Sequence, residues 1–94
     1  MRWSVAVVAE GDRVMQREEI VELADAVAAF EGIASGIGTT SYGAQLIVRA
    51  RTGDEAVQRA RTEFVRAAER AGLPQWPILR AEAVSEDGEA DEDE

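Results

Sequence analysis

With 94 residues, ten arginines against nineteen acids, and no lysine, histidine or cysteine, the chain has room for one domain and lacks several reactive groups. A disulfide, a thiolate metal site, a cysteine nucleophile, a lysine Schiff base and the usual neutral-pH general base are all excluded. The net charge of −9 is unevenly spread: residues 86–94 hold seven acids and no base, whereas 1–85 hold ten arginines and twelve acids.

The N-terminal run Trp3 to Ala9 is shorter than a signal-peptide core and is followed by Glu10 and Asp12 instead of a cleavage site. No stretch approaches the ~20 apolar residues needed to span a bilayer. The expectation is a soluble, cytoplasmic protein. The same run is rich in β-formers and predicts a first strand, with Trp3, Val5, Val7 and Ala9 on one face and Ser4, Ala6 and Val8 on the other.

Residues 16–30 place Ile20, Leu23, Ala24, Val27 and Phe30 at helical spacing, with Glu18 and Glu19 suited to the first turn. Gly32 is the expected stop. Residues 33–51 then read as a β-hairpin turning near Thr40 to Gly43. Its second arm alternates Leu46, Val48 and Ala50 with Gln45, Ile47 and Arg49. Three glycines, at 32, 36 and 38, weaken the first arm and suggest an edge strand, a bulge or close backbone approach.

Thr52 and Glu55 have capping-box spacing, and the helix behind them carries Val57, Ala60, Phe64, Ala67 or Ala68, and Ala71 on one stripe. Gly72 and Pro74 end it. Residues 77–84 predict a final strand, with Leu79, Ala81 and Ala83 facing the helices and Ile78, Arg80, Glu82 and Val84 facing away. The composition from 86 onward cannot bury enough apolar surface to order and is read as a disordered acidic tail.

The predicted order β-α-β-β-α-β over residues 1–85 is that of an α+β, ferredoxin-like domain: a four-stranded antiparallel sheet with two helices on one face. A chain this small buries only about 60–65% of its surface, so the bare sheet face becomes the functional question. The expected bare face shows Ser4, Ala6, Val8, Ile47, Arg49, Ile78 and Arg80, half apolar and rimmed by arginine. Sheet-mediated homodimerisation is the most economical way to cover it. Ile47, Ile78, Arg80 and Trp76, the last held between Pro74 and Pro77, are the candidate interaction residues.

Thr39, Thr40, Ser41 and Tyr42, with Arg49 on the returning strand, have the hydroxyl and guanidinium chemistry to hold a small carboxylate or phosphate. The same residue types are ordinary in hairpin turns. Glu10 and Asp12, with Glu82, could act as a base or metal site, but no ligand cluster accompanies them. Gly36-Ile37-Gly38 lacks the rest of any nucleotide-binding motif, and no cofactor or metal is implied. Arg59, Arg66 and Arg70 interleave with Glu55, Glu63 and Glu69, which reads as helix-surface pairing rather than a nucleic-acid face.

The leading expectation is a non-catalytic regulatory or interaction module, homodimeric through its sheet and able to hold a small anionic ligand. One alternative is a cofactor-independent enzyme of the dimeric ferredoxin-like type, with a pocket between sheet and helices and Tyr42, Arg49 and Asp12 as its polar groups. Another is an adaptor whose acidic tail engages a basic partner. Neither nucleic acid nor membrane is an expected partner.

Overall fold

Residues 2–85 are described by a computed structural model. The predicted acidic tail, 86–94, lies outside the described residues. The β-branched N-terminal run forms β1 (Arg2–Glu10), followed by α1 (Arg17–Val27), a 3-10 turn (Ala28–Phe30), β2 (Ile33–Ser35), β3 (Ser41–Arg49), α2 (Gly53–Arg70) and β4 (Ile78–Ser85). The fold is α+β, with all strand pairings antiparallel in the order β2-β3-β1-β4. Among the described residues no helix is long and apolar enough to cross a membrane.

The predicted alternation sets the inner face of the two central strands. Val5 pairs with Leu46 and Val7 with Ala44 across the β1–β3 ladder, and all four are buried. Ile20, Leu23 and Val27 from α1 and Ala56, Ala60 and Phe64 from α2 join the same core cluster, so both helices pack on that side. Fully burying a side chain such as Leu23 or Leu46 contributes about 1.5–3 kcal/mol. The small residues of α2 let it approach the sheet closely, and Phe64 fills the volume that they leave.

The helix ends follow local chemistry. Thr52 accepts a 3.1 Å hydrogen bond from the Glu55 amide, while the Glu55 carboxylate accepts one from the Arg51 amide at 2.7 Å. Gly72 takes φ +77 and Leu73 N–H donates to the Ala68 carbonyl at 2.9 Å, closing α2 as predicted.

Three sequence expectations are corrected. The first helix ends at Val27, with a 3-10 turn after it, and Glu31 rather than Gly32 takes the left-handed conformation, φ 53. Gly32 is needed for close approach, because a Cβ there would lie 2.7 Å from the Val27 Cβ.

The second correction moves the hairpin reversal to residues 36–40, where Gly36 and Gly38 have φ +128 and +78. That loop is stitched to the connector before α1: Gly38 N–H donates to the Met15 carbonyl, and Met15 N–H to the Thr39 carbonyl. Tyr42 thereby falls inside β3 with its ring in the core.

The third concerns β4. Its register against β1 slips between Val8 and Ala9, leaving Leu79 as the extra residue of a bulge. Ile78 turns inward against the core and Leu79 is 67% exposed, the reverse of the faces predicted for this pair. Beyond the bulge the prediction recovers, since Ala81 and Ala83 pack inward while Arg80, Glu82 and Val84 are exposed.

Candidate functional site

The hydroxyl cluster belongs to the turn that contains it. Thr39 Oγ1 lies 2.9 Å from both the Gly36 and the Ser41 carbonyl oxygens and 3.3 Å from the Ser41 amide. These contacts hold the loop's shape. Thr40 is exposed and its carbonyl accepts from the Gly11 amide.

Tyr42 points the opposite way, into the core. It is 2% exposed, and its hydroxyl donates to the Pro74 carbonyl at 2.7 Å. Its ring stacks on Phe64 with centroids 5.5 Å apart, and Trp76 lies 5.6 Å away on a tilted plane. Burial pushes the phenol up from its ordinary value of 10.

Arg49 lies at the far end of β3, on the face away from Tyr42 and paired in register with Arg2. The structure therefore does not bring Tyr42 and Arg49 together. Tyr42, Phe64 and Met15 fill the space between sheet and helices in which a substrate pocket was expected. Glu82 stands opposite Ala6, four pair positions along β1 from Glu10.

Trp76 is packed, not free. Its six-membered ring covers Gly11 so closely that a Cβ there would fall 1.9 Å from Cε2. Sequence reasoning identified its rigid proline flanks but missed its partners, since Gly11 and Tyr42 are remote in the chain.

The bare sheet face is polar at its centre. Gln45 Nε2 donates to Ser4 Oγ across the β1–β3 pair, and a shallow depression there is lined by Ser4, Ala6, Gln45, Glu82 and Val84. Ile47 is half-buried on this face. The exposed aliphatics Ile33 and Val84 sit on opposite edge strands, β2 and β4, and form no single patch.

The two edges differ. β2 has three residues, too few to template another strand. β4 has eight and pairs only with β1 among the described residues. Along it, exposed Arg80 and Glu82 alternate with inward Ala81 and Ala83, and exposed Leu79 and Val84 flank them.

Beside this edge, Gln58, Arg61, Thr62, Val65 and Arg66 of α2 form, with Ile78, an open groove of about 430 Å³. It has two arginines, two aliphatic residues and no acid among its lining residues. The residues sequence reasoning missed are Arg61 and Val65, for which spacing along α2 was the available signal.

Beyond the end of β1, Arg13 and Gln16 hold the start of α1. Arg13 donates to both Glu19 carboxylate oxygens, at 3.0 and 2.5 Å, and the Gln16 amide donates to the same group at 2.8 Å. These bonds, the one from Arg13 foremost, pull Glu19 down from 4.5 to about 2. The cluster is a helix cap.

Against this geometry, comparison with known protein families, curated proteins and solved structures finds no match.

Proposed function

We propose that the protein is a homodimeric interaction module that acts by assembly, joining the β4 strand of one copy to the β4 strand of another. The element order and the sheet order support a ferredoxin-like reading of the α+β fold, in which an eight-stranded sheet results from such a union.

The observation that carries this reading is the order Arg80-Ala81-Glu82 on a long strand whose only strand partner among the described residues is β1. A two-fold axis perpendicular to the sheet passes through one residue of the strand, because directly opposed residues share a face. An axis at Ala81 sets Arg80 against Glu82 of the second copy, and Glu82 against its Arg80. Moving the axis one residue either way opposes like charges, Arg80 to Arg80 or Glu82 to Glu82. The sequence of the edge thus selects one register.

Union at the edge also suits the bare face better than face-to-face mating would. The Ser4–Gln45 hydrogen bond and Glu82 stay hydrated, and the exposed Leu79 and Val84 flank the junction.

Sedimentation equilibrium of the full chain at micromolar concentration tests the reading. The parent is expected to be a dimer, Arg80→Glu to weaken it about tenfold, and Arg80→Glu with Glu82→Arg to restore it, since each cross-strand charge pair contributes roughly 0.2–1 kcal/mol. A monomer at about 100 μM, or charge reversal without effect, would remove the proposal.

A further inference from the structure

We propose that residues 86–94 of each copy dock in the α2–β4 groove of the other, so that the two chains exchange acidic tails. This rests on the β4-to-β4 reading and adds a regulated contact to it.

Three observations converge on one occupant. The groove is lined by Arg61 and Arg66 together with Val65 and Ile78, with no acid lining it. Arg61 makes no ion pair among the described residues, and Arg66 meets Glu63 only at 3.6 Å with both side chains solvent-accessible, so both guanidinium groups can accept a carboxylate partner. The nine residues after Ser85 supply seven carboxylates and no base.

Geometry then separates the partner's groove from the chain's own. With the axis at Ala81 and Leu79 as the extra residue of the bulge, Ala83 of one copy faces Ile78 of the second copy, both being inward residues. The acidic segment therefore starts three residue steps, roughly 10 Å, from Ile78 of the other chain. Within its own chain the segment starts seven residue steps away, roughly 23 Å along β4. It would have to double back over that distance, close to the ~30 Å limit of nine extended residues.

The exchange also answers an electrostatic problem. Two chains of net charge −9 repel, and seven of those charges lie in the tails. Seating the tails on arginine converts that repulsion into attraction, and makes assembly respond to salt and to any basic competitor for the tail.

Dilution series by sedimentation velocity test this with full-length chains. One variant has the seven acids of residues 86–94 replaced by their amides. A second carries Arg61→Gln and Arg66→Gln, and a third combines both sets. At about 50 mM salt either change is expected to raise the dimer dissociation constant about tenfold, and the combination to do no more than one alone. About 500 mM salt should erase the differences.

Unchanged or tighter dimers from the neutralised tail overturn tail docking while leaving the β4 junction standing. So does an arginine variant that matches the parent, or a combination whose effects simply add. A parent that stays monomeric throughout overturns the junction, and tail exchange with it.

Discussion

The hydroxyl of Tyr42 donates a 2.7 Å hydrogen bond to the carbonyl of Pro74, joining the start of β3 to the segment between α2 and β4. The bond reaches across 32 positions of sequence and ends on a backbone group that has no helix or strand partner. It fastens the connection on which the position of β4 depends.

Tyr42→Phe keeps the stacking on Phe64 but removes one of the two hydrogen bonds that the Pro74 carbonyl accepts, the other coming from the Trp76 amide at 3.1 Å, and should cost about 0.5–1.5 kcal/mol in chemical denaturation. Alkali gives a second readout. The phenol is raised above 10 when folded, so its contribution is complete below the unfolded value and fades as pH rises through the folded one. The chain has no lysine, histidine or cysteine, so the tyrosine dominates side-chain titration there. The parent is expected to lose stability above about pH 10, and Tyr42→Phe to stay nearly flat.

Gly11→Ala tests the seat of Trp76. The new methyl would occupy the position of the indole ring, 1.9 Å from Cε2, so the ring must leave its place beside Tyr42. A loss of about 1–3 kcal/mol is expected, with a red shift in tryptophan emission as Trp76 enters water. An unshifted spectrum at full stability would show that the ring is not held there.

The Arg13–Glu19 pair sets an acid dependence at the start of α1. Glu19 is lowered from 4.5 to about 2, so its contribution is present above 4.5 and is lost as pH falls toward 2. Both side chains reach solvent, which screens the pair and keeps the effect small. Glu19→Gln should melt lower than the parent above pH 4.5, and the two curves should converge near pH 2.

Much of this architecture is legible along the chain. Val5 and Val7 alternate with Ser4 and Ala6, and Leu46 and Val48 with Gln45 and Ile47, which places the inner face of both central strands. The Thr52–Glu55 spacing marks one helix start, and Gly72 before Pro74 marks its end. These succeed because alternation, capping and left-handed glycine are decided by residues within a few positions of one another. The hydroxyls of residues 39–41 were also visible, but their composition does not distinguish a turn that consumes them from one that offers them to a ligand.

By itself the sequence determined the order of strands and helices, the inward faces of β1 and β3, and the absence of thiol, imidazole and lysine chemistry. Tertiary structure alone decided the bulge at Leu79, which turns Ile78 inward; the burial of Tyr42 and the packing of Trp76 against distant partners; and the meeting of Arg61 and Arg66 with Ile78 beside β4. The physical reason is range. A bulge is set by how β4 must meet both the end of β1 and the Pro77 carbonyl that accepts from Glu10, and a groove by which helix lies over which strand. Neither leaves a mark in the residues next door.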